Sequence, residues 1–176
     1  MRNILVCLVL TAAVAGAQEN PLSAFNRTAY GQVKNWLLGS AQKMPEENYS
    51  FKPAETVRSF GQLVGHVADA QYIFCSVVLS DKNPDLKIEQ STTSKADLIA
   101  ALKSAFAYCD RAYNSMTDAS ATQMYKLYGT DMPKLDVLTV NIMHSAEHYG
   151  NMVTYLRMKN IVPPSTEQMS APPTRK

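Results

Sequence analysis

The stretch Asp136–Pro164, DVLTVNIMHSAEHYGNMVTYLRMKNIVPP, constrains what this chain can fold into more than any other. Its spacing predicts one long helix, opening at Pro133 and ending near Asn160, ahead of Pro163 and Pro164. The helix carries His144 and His148, two of the chain's three histidines. Residues four apart lie one turn apart on one face, about 5–6 Å between Cβ atoms, which suits two imidazoles gripping one divalent metal. The same face holds Asn141, Asn151 and Tyr155 beside Val137 and Val140. Burying so polar a stripe without partners is costly. It needs water, a metal or mutual hydrogen bonds.

Three more helices are predicted. The first runs from Leu22 to about Met44, with Phe25, Val33, Trp36, Leu37 and Met44 as its apolar face. Pro45 and Pro53 frame a loop, and a second helix follows from Val57 to Ser80, with Thr56 or Ser59 as its N-cap. On it Leu63, His66, Val67, Ala70, Phe74, Val77 and Val78 keep helical spacing. The connection Asp81–Thr93 is long for a simple hairpin of helices, and lets helices two and three run the same way. The third helix opens on Ser94, with Asp97 in its first turn, and runs to Met116. In the least regular segment, Met124–Tyr128 reads as a short strand or an extended loop. Four apolar stripes pack most simply as an all-α four-helix bundle. The Pro/Ser/Thr-rich end, residues 163–176, is expected to be unstructured.

At 176 residues, with 46% apolar and 18% charged side chains, the chain suits one ordered domain. A net charge of +2, with no basic run interleaved with aromatics, gives no nucleic-acid signature. At the N-terminus, Arg2, the apolar run Ile4–Val14 and the small residues Ala15-Gly16-Ala17 predict a secretory signal peptide over residues 1–17. The run is shorter than the roughly 20 residues of a membrane span. Val6 before Cys7 speaks against lipidation. The expectation is cleavage after Ala17 and a periplasmic or secreted protein with no membrane anchor.

Two cysteines remain, Cys75 and Cys109, in a compartment that permits a bridge. Cys109 belongs to the stripe Leu98, Leu102, Ala105, Cys109, Ala112 and Met116. Cys75 follows His66 by nine residues, about half a turn round the helix. If His66 faces the core, Cys75 faces away, so two separate thiols are expected.

His66, with Gln62 one turn before it and Asp69 near one turn after, falls on the core side of the second helix. No histidine is left over as surface background. Spacing alone leaves two readings of the three histidines open, a metal site and a polar core or pocket.

The residues Ser59-Phe60-Gly61-Gln62-Leu63-Val64-Gly65-His66-Val67-Ala68-Asp69-Ala70 resemble a helix of the DinB (DinB/YfiT-like) family. So do His144-Ser145-Ala146-Glu147-His148-Tyr149-Gly150-Asn151 and the run from Tyr155 to Pro164. The resemblance spans nearly all of the chain beyond the signal peptide. It implies an up-down-down-up bundle with the long crossover between helices two and three. It also implies one divalent transition metal, zinc or nickel, on His66, His144 and His148, and a homodimer. Activities in that family include thiol-dependent S-transferases and isomerases, and some members resemble metal-dependent hydrolases. An exported protein stands apart from thiols kept in the reducing cytoplasm.

His144-Ser145-Ala146-Glu147-His148 also spells H-x-x-E-H, a metallopeptidase pattern in which Glu147 would be general base. That pattern needs a further acidic ligand downstream. Only Glu167 follows, in the tail, so Glu147 is expected at the flank of the site. Gln62, Asn141, Asn151, Tyr155 and Trp36 are candidates to line the pocket, with ordinary packing as their alternative role. Two function classes stay open: a metal-dependent hydrolase or transferase acting on a small molecule, and a non-catalytic metal- or ligand-binding bundle serving as a stress-related accessory protein.

Overall fold

The computed structural model describes residues 20–170. The predicted signal peptide, with Cys7, and the last six residues lie outside them. Four long helices carry the core: α1 (Pro21–Lys43), α2 (Phe60–Leu79), α4 (Lys95–Ser115) and α5 (Lys134–Met158). Between them lie a short helix α3 (Ile88–Ser91) and two strands, β1 (Met124–Leu127) and β2 (Thr130–Pro133). A final short helix is α6 (Pro164–Ser170).

Local chemistry sets the boundaries. Ser59 caps α2 in a capping box: its hydroxyl accepts from Gln62 N–H, and Gln62 Oε1 accepts from Ser59 N–H. Ser94 accepts from Asp97 N–H at the start of α4. The first turn of α1 has no cap of its own. Its Leu22 and Ser23 N–H groups donate to the Asp118 carboxylate, just beyond the end of α4.

Side-chain pairs tie the helices together. Tyr30 and Lys34 of α1 meet Asp110 of α4, while Lys95 at the start of α4 donates to the carbonyls of Gln42 and Met44. Asn26 bonds Thr139, and Trp36 stacks on Tyr149, joining α1 to α5. Gln71 of α2 reaches Ser145 and Asn141 of α5. The stripe Leu98, Leu102, Ala105, Cys109, Ala112 and Met116 is fully sequestered.

The irregular segment before α5 is a hairpin, so the protein is not purely helical. Leu127 pairs with Thr130 around Tyr128 and Gly129, which have φ of 49° and 82°. Two left-handed residues in a two-residue turn match the twist of the flanking strands. The ambiguity at Met124–Tyr128 resolves to a strand because β2 supplies its partner.

Four expectations are corrected. Phe25 is not on the buried face of α1 but 76% exposed, and Tyr30 takes the core position instead. Residues 164–170 are not unstructured: α6 lies along α1, with Glu167 paired to Lys43, Gln168 accepting from Trp36 and Pro164 against Gly39. Trp36 therefore faces α6 and Tyr149 and lines no part of the histidine site. Cys75 and Cys109 form a disulfide between α2 and α4, with Cα atoms 5.3 Å apart. Cys75 does stand nine residues, about half a turn, round α2 from His66. It is buried all the same, because α2 is apolar enough to bury two faces, one against α5 and one against α4.

Candidate metal centre

His66 projects from α2, while His144 and His148 project from successive turns of α5. Their rings converge: His66 Nε2 lies 3.2 Å from His144 Nε2, and His148 Nε2 lies 3.1 Å from His144 Nε2. One ligand atom from each ring falls within 4.8 Å of the others, so the three can hold a metal ion. Metal–nitrogen bonds of about 2.0–2.1 Å at tetrahedral angles put ligand nitrogens about 3.3 Å apart, close to both short separations.

Proton arithmetic favours a cation at that point. A neutral imidazole has one donor and one acceptor nitrogen. One proton can bridge a single Nε2 pair, whereas an ion serves all three nitrogens. Nδ1 of His144 and Nδ1 of His148 are buried without a protein partner, so no contact on the Nδ1 side fixes either ring.

The third ring is fixed. His66 Nδ1 lies 2.8 Å from Glu89 Oε2, and a carboxylate can only accept, so the proton is on Nδ1 and the Nε2 lone pair faces its neighbours. Glu89 Oε1 in turn accepts from Arg58 Nε at 2.7 Å. Burial alone would raise the Glu89 carboxyl. The hydrogen bonds from Arg58 and His66 outweigh it and hold the group below the usual carboxylate range.

Glu89 was not legible as a site residue. It lies in the connection after α2, where no periodicity signals contact with His66. The only hint was Asp69, whose carboxylate accepts from the N–H groups of Ile88 and Glu89 at 2.9 and 3.0 Å and so anchors α3. Gly65 completes the seat. A Cβ there would lie 2.7 Å from Glu89 Cα, so α3 approaches α2 this closely only over glycine.

Burial, together with the charges of the neighbouring rings and Arg58, lowers the pKa of His144 and His148 to about 4. Both rings are thus neutral near pH 7, as metal ligands must be.

The other candidates divide. Gln62, Glu147, Asn151 and Tyr155 line a cleft of about 780 Å³ that His148 and Glu89 also border. Glu147 is exposed there. Asn141 is elsewhere: fully buried, it donates to Gln71 Oε1 and Tyr113 Oη beside the disulfide. Its place on the wheel was close to His144, but a step of three residues along α5 carries it below the histidines into the core. Glu167 is held by Lys43 on α1, so the downstream acid of the H-x-x-E-H pattern is not among the ring nitrogens' neighbours.

A family model described as the DinB superfamily matches residues 29–152, most of the chain. The chain belongs to the DinB superfamily. The uncharacterized protein YjoA of Bacillus subtilis (strain 168) is 25% identical over 123 residues, covering 66% of this chain and 77% of that protein. The fold is similar to that of a DinB-like protein from Bacillus cereus ATCC 10987, with a TM-score of 0.68 at 17% identity, over 79% of this chain and 93% of that one. The crystal structure of YjoA gives a TM-score of 0.66 at 21% identity, over 81% and 96% of the two chains. A mycothiol-dependent maleylpyruvate isomerase shares the fold at a TM-score of 0.62 and 13% identity, over 74% of this chain and 60% of that enzyme. At these identities the structural neighbours speak for the DinB fold alone.

Proposed function

We propose that this DinB protein is an exported metal-dependent enzyme, a hydrolase or transferase, with one divalent transition metal, zinc or nickel, on His66, His144 and His148. The observation that carries the reading is the convergence of three Nε2 atoms, one of them on His148, whose ring lines an open cleft. A closed structural site would present a fourth protein ligand, and among the described residues the metal-ligating cluster has three.

His66, His144 and His148 would hold a divalent ion, which would supply Lewis acidity to a bound oxygen or sulfur atom. The chain's own groups do the rest. Glu89 keeps the His66 proton on Nδ1, and Arg58 keeps Glu89 ionised. Exposed Glu147, facing the cleft beside His148, is the carboxylate placed to accept a proton from a bound molecule. The helix pairings in the contacts above support an up-down-down-up order, with the crossover between α2 and α4 carrying Glu89. The Cys75–Cys109 disulfide supports export, since such bonds persist in oxidising compartments.

The test is metal content by mass spectrometry of untagged protein beside His66→Ala and His144→Ala. About one equivalent of a transition metal, lost in both variants, is expected. A wild type that stays empty after reconstitution ends the reading.

A further inference from the structure

The cleft beside the histidines has one wall of unusual composition. Arg58 is held at two points and by its neighbour. Tyr155 Oη donates to its carbonyl at 2.6 Å, the next residue closes the α2 capping box, and its own Nε donates to Glu89. Its terminal nitrogens have no acceptor among the described residues, and the side chain is 42% exposed. Lys52 lines the same cleft, exposed and without an ion-pair partner among the described residues.

The acids of the cleft do not cancel this wall. Glu89 is already committed to His66 and Arg58. Glu147 of α5 also lines the cleft, and among the described residues it forms no ion pair with Lys52 or Arg58. In the same cleft, Gln62, Asn151, Thr56 and Thr154 offer neutral hydrogen-bonding groups, and Val57 and Leu63 offer apolar contact. A guanidinium with its stem fixed and its outer N–H groups unused is a preorganised fork for a carboxylate.

We propose that the cleft takes a small organic acid, whose carboxylate pairs with Arg58 and Lys52 while its other end meets the ion on the three histidines. This rests on the metal reading above. It adds the substrate class: an anion with a short carbon body, held at one end by charge and at the other by the metal.

The experiment compares acetohydroxamate with succinate monohydroxamate, which share a metal-binding head while the second adds a carboxylate, by calorimetry on the zinc-loaded protein. The expected result is binding of the second about tenfold tighter or more, the range of a charge-assisted hydrogen bond. That advantage should shrink in Lys52→Ala and vanish in Lys52→Ala/Arg58→Gln, with zinc content measured in each. Because the readout is the ratio of two affinities, a change in the metal itself cancels. Equal affinities in a zinc-loaded wild type, or an advantage that survives the double substitution, overturn the anion subsite alone. A wild type that takes up no zinc overturns the metal reading and this inference together.

Discussion

The Glu89 carboxylate and the His66 imidazole, 23 residues apart in the chain, meet at 2.8 Å. The contact fixes which nitrogen of His66 carries the proton, and therefore which one faces His144 and His148. Glu89→Gln keeps the shape but loses the charge, and Glu89→Ala loses the contact. Both should weaken metal binding, by about 10–100-fold for alanine, the range for outer partners of ligating histidines. Chelator competition reads this directly. Unchanged affinity in Glu89→Ala would show that His66 needs no orienting partner.

Gly65 tests the same contact from the backbone side. Alanine in a helix interior gains up to about 1 kcal/mol in propensity over glycine. Here its Cβ would lie 2.7 Å from Glu89 Cα and 2.9 Å from Glu89 N. The backbone of α3 must then move, which costs about 1–3 kcal/mol. Gly65→Ala should therefore lower both the melting temperature and metal affinity, although no ligand is touched. Gly150→Ala, where a Cβ meets nothing within 4 Å, is the control and should stabilise. If the two variants behave alike, the close approach of α3 does not matter.

The disulfide is open to a direct test. It closes a loop of 34 residues between α2 and α4, for which chain-entropy arguments give about 3–4 kcal/mol. The Cys75→Ala/Cys109→Ala protein should melt roughly 10 °C lower than the oxidised wild type. Both cysteines are fully buried, so reductant should act on the wild type only as it unfolds. Free thiols at Cys75 and Cys109, counted after denaturation without reductant, would refute the bond.

Acid should destabilise the metal-free protein through His144 and His148. Their pKa is held at about 4 in the fold, mainly by burial, against 6.5 for a free imidazole. Between those values the unfolded chain binds more protons than the folded one, so stability falls as pH drops from about 6.5 and levels off below about 4. Melting of chelator-treated protein over that range should show the fall, and His144→Asn/His148→Asn should flatten it. Parallel curves for the two proteins would assign the acid sensitivity to other groups.

Much of this was legible in one dimension. The period of the apolar residues marked the four long helices to within a few residues. Serine at position 94 marked one start, and Ser59 was one of two candidates for another, because a cap needs only a hydroxyl and an N–H three residues on. The H-x-x-x-H spacing placed His144 and His148 on one face because one helical turn is a local property. His66 was assignable to a buried face by the same periodicity.

What the linear pattern left undecided was how many faces a helix buries and what crosses between elements. Cys75 and Cys109 pair because α2 sits between α4 and α5 and is covered on both sides, a matter of packing that helical phase does not contain. Asn141 shares a wheel position with the histidines but lies deeper along the axis, where Gln71 and Tyr113 take its amide. Residues 164–170 became a helix because α1 offers Trp36 and Lys43 as partners. The sequence by itself determined the helices and the three ligand candidates, since both follow from contacts within a turn or two. Only the tertiary structure brought Glu89, Arg58 and Lys52 to the histidines, because charged contacts across loops leave no periodic trace in the chain.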